Sequence, residues 1–264
     1  MSTVFPTSSR TKSFAGRRAD VFQDEYWAIS RKPWPSLLFL IPLLIAYEAG
    51  IRHTGARDPE SLRNGADAWL RGLLAHCLLD GVWLLPAFIV LGLLAWHLSN
   101  KDKWKISPGT FGGMLAESLL FAFFLILCGQ LLVFGFQKLS GSDPVLTSIP
   151  GMMIPPRTSR IISYIGAGIY EETLFRLCLI PLCYGLLKSV FHSHRVAIAG
   201  AILISSSLFM GAHYLTGDEQ ITSFNALFRL FAGMYFSLLF LYRGFGITVG
   251  CHAVYDVIVG VLWW

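Results

Sequence analysis

One apolar run with charged residues near its middle constrains this chain more than any other feature. It extends from Arg160 to Lys188 and reads RIISYIGAGIYEETLFRLCLIPLCYGLLK, with Glu171, Glu172 and Arg176 near its centre. About 20 apolar residues suffice to cross a bilayer, and an ionisable group at the centre of such a helix costs roughly 2.5–3.5 kcal/mol on insertion scales. The run therefore predicts a transmembrane helix whose charged groups have a specific role.

The spacing of the three charged residues assigns them different directions. Glu172 and Arg176 are four positions apart, so they lie on one helical face and are predicted to form an ion pair. Glu171 is rotated by about 100° from Glu172 and is directed at another part of the bundle. Two interpretations stay open at this point: all three residues form a polar clamp between helices, or Glu171 belongs to a functional site.

The composition predicts a polytopic membrane protein. Of its 264 residues 54% are hydrophobic and only 14% are charged, which is too apolar for a soluble domain. The net charge of +5 comes from basic residues in a leading tail and in short loops beside apolar runs, as in membrane topology signals. We therefore expect a lipid bilayer and no nucleic acid among the partners.

The apolar runs predict an all-α transmembrane bundle of about seven spans. In residues 66–80 apolar and polar residues fall on opposite faces of a helix. This pattern predicts an amphipathic helix at the membrane interface. Residues 1–34 form a polar, basic tail, and residues 35–264 form a single transmembrane domain. The predicted spans are 36–51, 81–98, 112–136, 160–188, 196–215, 224–242 and 246 to the end.

More lysine and arginine residues lie on the side of the amino terminus than on the opposite side. This bias predicts a cytoplasmic amino terminus. We expect a multi-pass protein of a bacterial inner (cell) membrane. Two further polar residues, Glu117 and Arg229, lie within predicted spans; we favour a pairing of the two, and the alternative is that Glu117 borders the active site. Glu48 lies near a span end and is expected to reach water there.

Two later spans carry histidines in helical register with a second residue. Phe209 and His213 are four apart in FMGAHYL, and His252 and Asp256 are four apart in CHAVYD. A lone histidine in a span is often a packing residue, but ionisable groups on separate helices normally face one another or a hydrated cavity. This set suggests hydrolysis: Glu171, helped by His213, takes a proton from water, while His252 and Asp256 hold an oxyanion.

The three segments EETLFR, FMGAH and HAVYD resemble the ordered motifs EExxxR, FxxxH and HxxxN/D of the CAAX protease and bacteriocin-processing (CPBP, or Abi) family. The resemblance covers residues 164–259 and extends to the type II CAAX prenyl endopeptidase. It implies a glutamate-type intramembrane protease. In that scheme Glu171 and His213 activate water, and His252 and Asp256 occupy the oxyanion-hole positions. Glu172, Arg176 and Phe209 support the site.

Asp256 departs from the pattern of the prenyl endopeptidase, which has asparagine at this position. An ionised aspartate would repel an oxyanion, so Asp256 is either protonated, or orients His252, or binds a metal. We expect no cofactor. Zinc held by Glu171, His213, His252 and Asp256 is the minority alternative, because these ligand types suit zinc.

The expected substrate is a membrane-anchored or prenylated protein, cleaved near its anchor or at a carboxy-terminal sorting tail. His213 lies near the predicted outer end of its span, which suggests a site open to the non-cytoplasmic side. Two alternatives remain: a proton-coupled transporter using the same groups, and a non-catalytic immunity or scaffold protein of the same family.

Overall fold

The computed structural model describes residues 25–54, 62–79, 81–104, 106–141, 156–215 and 222–262. Helices and short connections account for all of these residues, with no strand among them, and the prediction of an all-α bundle is confirmed. Most of the predicted tail, residues 1–24, lies outside the described part of the chain. Residues 25–30 are helical, and the first membrane helix already begins at Pro33.

The helices follow the apolar runs and extend a few residues beyond most of them. The first long helix is interrupted neither by Pro42 nor by Glu48. In chain order the helices are α1 (Pro33–Thr54), α2 (Gly65–His76), α3 (Leu84–Asn100), α4 (Pro108–Ser140), α5 (Arg157–Glu172), a π-helix (Thr173–Leu179), α6 (Ile180–Val190), α7 (His194–Leu215), α8 (Ser223–Arg243), α9 (Phe245–Val257) and a second π-helix (Ile258–Leu262).

Six helical stretches in the described residues are long and apolar enough to cross a membrane. They are α1, α4, the continuous stretch from α5 to α6, α7, α8, and α9 with its π-helical extension. Helix α3, predicted as the second span, is apolar but has only 17 residues. It is about 25 Å long, somewhat less than the roughly 30 Å thickness of the hydrocarbon core.

Helix α9 lies at the centre of the bundle. In its most apolar stretch 56% of the residues are buried, against 11% in the peripheral helix α4. Its glycines allow this close packing: a Cβ at Gly250 would lie 2.4 Å from Oγ of Ser118 in α4. On its other side α9 meets α5 at Gly168, where a Cβ would lie 2.9 Å from the backbone nitrogen of Ala253. Residue 252 is therefore held against α5.

The span that carries the charged residues changes its winding directly after Glu172, and Arg176 lies within the altered turn. Residues Thr173–Leu179 form a π-helix before α-helical winding resumes at Ile180. Pro181 has no backbone N–H to donate, so it removes a bond from the regular ladder. The hydroxyl of Ser205 in α7 donates to the carbonyl of Phe175 at 2.7 Å. Such π-segments are frequent at functional sites.

Helix α2 is the predicted amphipathic helix, and its polar side faces the protein. Asn64 caps its amino terminus by accepting a hydrogen bond from the backbone N–H of Asp67. Arg71 of α2 donates to Glu48 in α1 at 2.8 Å, and Glu48 is only 2% exposed. The prediction that Glu48 reaches water was therefore wrong, because a partner inside the protein offsets its charge.

Candidate active site

Three helices bring the predicted site residues together. Glu171 lies at the end of α5, where the winding changes, His213 lies in the last turn of α7, and His252 and Asp256 lie one turn apart in α9. Helical periodicity places each residue on the inner side of its helix, and the crossing of α5 and α9 at Gly168 brings the first and third motifs into contact.

Glu171 lies between the two imidazoles. Its Oε2 is 3.8 Å from Nε2 of His252 and 3.9 Å from Nε2 of His213. Both separations exceed a direct hydrogen bond but suit one small bridging molecule. The side chains of Glu171 and His213 are 15% and 18% exposed, whereas Oε2 of Glu171 itself is buried. This carboxylate oxygen and the two imidazole nitrogens therefore face a common point inside the bundle.

Asp256 faces the same point from α9. Its Oδ2 is 3.4 Å from Nε2 of His252, and its side chain is 17% exposed. His252 thus has an acidic group on each side of Nε2, Glu171 and Asp256. Asp256 can therefore both orient the imidazole of His252 and contact a bound substrate.

Glu172 lies behind the imidazole of His252 and is fully buried. Its Oε1 is 3.2 Å from Nη1 of Arg176, so the predicted ion pair is present. The same oxygen accepts a hydrogen bond from Nδ1 of His252 at 2.6 Å. This second contact was not predicted, since Glu172 was expected to support the site only through Arg176. It fixes the ring so that Nε2 faces Glu171.

Aromatic rings complete the walls of the site. Phe209 contacts the ring of His213 at a centroid distance of 4.8 Å and the guanidinium of Arg176 at 4.4 Å. Phe236 of α8 stacks on His252 at 4.5 Å. Phe209 therefore lies beside the site, and its supporting role stays a prediction. Phe236 was missed because one phenylalanine among many in apolar spans gives no signal.

The tautomer of His213 follows from its partner. Nδ1 lies 2.8 Å from the carbonyl oxygen of Phe209. A carbonyl oxygen can only accept, so Nδ1 carries the proton. Nε2, the atom directed at Glu171, is then the basic nitrogen of the neutral ring.

The contacts of two polar residues, Asn64 and Glu117, were not predicted from the sequence. Asn64, ahead of α2, donates from Nδ2 to Oε1 of Glu171 at 3.4 Å. An uncharged residue in a polar stretch gave no signal for this. Glu117 binds Arg243 through two hydrogen bonds of 2.7 and 2.8 Å, so its predicted pairing with Arg229 was wrong.

The donor atoms at the site are of types that zinc accepts, two carboxylates and two imidazoles. Within the described ranges, however, no group of three or more His, Cys, Asp or Glu side chains has the arrangement needed to hold a metal ion. The expectation of a site without a metal remains a prediction.

A separate apolar groove of about 830 Å³ lies on the other side of α5 and α6. Thr173, in its wall, is rotated by about 200° from Glu171 around the helix. The groove therefore lies behind the site and does not open on the two histidines. Its walls come mainly from α2, α3 and the stretch from Thr173 to Tyr184.

The fold and the site together define an integral, multi-pass membrane protein with a cluster of acidic and imidazole groups inside its helical bundle. Residues 156–258 match a protein-family model described as "Type II CAAX prenyl endopeptidase Rce1-like". The matched segment contains all three motifs, and the match confirms the resemblance to the CPBP family. No curated protein and no solved structure matches the chain. Asn64 and the helices α1 to α4 lie outside the matched segment.

Proposed function

We propose that this protein is an intramembrane endopeptidase that cleaves a peptide bond near the lipid anchor of a membrane-associated protein. The family match implies a protease and a membrane-associated substrate. The observation that carries the proposal is the position of Glu171 Oε2, 3.8 and 3.9 Å from the Nε2 atoms of His252 and His213. A prenylated protein, or one that bears a carboxy-terminal sorting tail, is the substrate class.

The first step uses two acceptor atoms that face each other, Oε2 of Glu171 and Nε2 of His213. The carboxylate oxygen of Glu171 and the basic Nε2 of His213 each accept one hydrogen of a water molecule, and this directs the lone pair of the water at the substrate carbonyl. Glu171 takes the proton as the water oxygen bonds to the carbonyl carbon. The carbonyl π-electrons move to oxygen and give a tetrahedral oxyanion.

His252 and Asp256 stabilise that oxyanion. His252, held at Nδ1 by Glu172, directs Nε2 at Glu171 and Asp256, and in the doubly protonated form its Nε2–H donates to the oxyanion. Asp256 donates a second hydrogen bond when it is protonated. Collapse of the intermediate breaks the C–N bond, and Glu171 returns its proton to the leaving amine. The products are a carboxylic acid and an amine.

Reconstitution in liposomes tests this proposal. The purified protein is given a prenylated peptide and the same sequence carried on a transmembrane anchor, and mass spectrometry locates the cleavage. We expect the intact protein to cleave and Glu171→Gln to lose at least 100-fold in rate. Asp102→Asn is the matched control, because that carboxylate pairs with Lys32 at the protein surface. Normal cleavage by Glu171→Gln would refute the glutamate mechanism.

Three further measurements distinguish the remaining alternatives. A strong zinc chelator should leave the activity unchanged, whereas its loss, restored by zinc, would indicate a metalloprotease. Comparison of membrane-protein termini from cells with the intact protein and with Glu171→Gln identifies the natural substrate. A biological effect that is equal in both cells would instead indicate a non-catalytic immunity or scaffold protein. Proton-coupled uptake into the liposomes would indicate a transporter.

A further inference from the structure

We infer that Asn64 is a positioning residue for Glu171, so that α2 is part of the active site as well as an interfacial helix. The inference rests on the proposed function for its catalytic consequence and on independent contacts for its geometry. Asn64 lies outside the segment that matches the family model and more than 100 positions before Glu171 in the chain.

The two ends of the Asn64 amide have different partners. Oδ1 accepts a hydrogen bond from the backbone N–H of Asp67 at 2.8 Å, which caps α2. Since a backbone N–H can only donate, the amide oxygen must face Asp67, and the NH₂ group faces Glu171. Nδ2 donates to Oε1 of Glu171 at 3.4 Å. One carboxylate oxygen is thereby held, and the other, Oε2, faces both imidazoles.

The start of α2 is fixed by a buried ionic network, so Asn64 has a defined position. The carboxylate of Asp67 is fully buried and accepts hydrogen bonds from Tyr47 at 2.7 Å, Arg63 at 2.8 Å and Arg71 at 2.6 Å. Arg71 also donates to Glu48 in α1. These bonds hold the first turn of α2 against α1.

The same network reaches Glu171 along the backbone. The hydroxyl of Tyr170, the preceding residue, donates to Oε1 of Glu48 at 2.8 Å. The end of α5 is thus held through Tyr170, and the carboxylate of Glu171 is held through Asn64. The Tyr170 and Asn64 contacts therefore both depend on the packing of α1 against α2. This packing positions Glu171 between the histidines.

A capping role alone would not require asparagine. Serine, threonine and aspartate cap helix amino termini about as well, but none of them carries an NH₂ donor. Substitutions at position 64 can therefore keep the cap and change only the group that faces Glu171. Asn64→Ser removes the donor, and Asn64→Asp places a second carboxylate oxygen beside Glu171.

Kinetics on the reconstituted protein test the positioning role. We expect kcat to fall about tenfold in Asn64→Ser and about 100-fold in Asn64→Asp, with KM unchanged, because a hydrogen bond to a charged group is worth one to two powers of ten in rate. Both variants keep the cap, so both should fold in normal yield. Equal kcat values in the intact protein and the two variants would reduce Asn64 to a cap and overturn the inference.

Thermal unfolding in detergent tests the contact without reference to catalysis. The unfolding temperature of Asn64→Asp should lie below that of Asn64→Ser while Glu171 is present, and the difference should vanish in the Glu171→Ala background. A difference that is equal in both backgrounds would show that Asn64 and Glu171 do not interact. If the intact protein cleaves no substrate, the proposed function fails, and this cycle still decides the contact.

Discussion

Nδ1 of His252 donates a 2.6 Å hydrogen bond to Oε1 of Glu172, and this bond joins the first motif to the third. Glu172 also pairs with Arg176 at 3.2 Å, and all three side chains are almost completely buried. A buried carboxylate shared by a guanidinium and an imidazole fixes the orientation of both. Glu172 therefore acts on the site through His252 and is not only the counter-charge of Arg176.

Glu172→Gln should lower kcat about 10- to 100-fold, since a hydrogen bond to a charged group is worth about 1.5–3 kcal/mol. The amide keeps the shape of the side chain but loses the charge that orients His252. Activity is measured per folded protein, because Arg176 also loses its partner. Asp102→Asn serves as the control and should change nothing. Full activity in folded Glu172→Gln would contradict the role assigned to this bond.

Asp256→Asn should keep or raise the activity. Oδ2 of Asp256 lies 3.4 Å from Nε2 of His252, and an amide at this point can donate to an oxyanion whereas an ionised carboxylate repels it. Asp256→Leu removes both abilities and should lose about tenfold or more. The kcat of the two variants is compared at one pH. An inactive Asn variant would show that the carboxylate itself is required.

The spans could be predicted from the sequence because apolar composition and length decide them almost alone. The three motifs could be located because positions four apart share a helical face, as in Glu172 with Arg176 and His252 with Asp256. Such periodicity gives the direction of a side chain within its own helix. It does not give the partner on another helix, and this is why Glu117 was paired with Arg229 instead of Arg243.

The contacts of α2 could be predicted from the sequence even less well than the partner of Glu117. Arg71 and Asp67 resemble the water-facing side of an interfacial helix, yet they are turned inward to Glu48 and Tyr47. Only the packing of α1 against α2 reveals that these charges neutralise one another. Asn64 has no charge and lies in a polar stretch, so its contact with Glu171 depends wholly on the tertiary structure.

Gly168→Val should reduce both stability and activity. A Cβ at Gly168 would lie 2.9 Å from the backbone nitrogen of Ala253, next to His252, and this backbone has little room to move. The larger side chain must separate α5 from α9 and with them Glu171 from His252. Gly185→Val in α6 is the matched control, because no atom lies within 4 Å of its added Cβ. Thermal unfolding and kcat are measured for both variants, and equal effects would contradict the close crossing.

Arg176→Ala should lower the yield of folded protein. The side chain is fully buried, pairs with Glu172, donates to the carbonyl of Gly233 at 3.1 Å and lies over the ring of Phe209. Its removal leaves the Glu172 carboxylate buried without this partner, a change that costs about 3–5 kcal/mol in soluble proteins. Arg195→Ala, at an exposed position at the start of α7, should be neutral. Yield and unfolding temperature distinguish the two, and a normal yield of Arg176→Ala would contradict the structural role.

The side of the membrane from which the site opens can be determined with a natural cysteine. Cys77 is exposed directly after α2, and Asn64 at the other end of α2 contacts Glu171. With a cytoplasmic amino terminus, α2 follows the first span and lies outside. A membrane-impermeant maleimide should then label Cys77 in intact cells. Cys77→Ser should abolish this labelling, because the other exposed cysteine, Cys178, lines the apolar groove, which a charged reagent does not enter. Labelling that requires permeabilised cells would place α2 in the cytoplasm and make cytosolic prenylated proteins the substrates to test first.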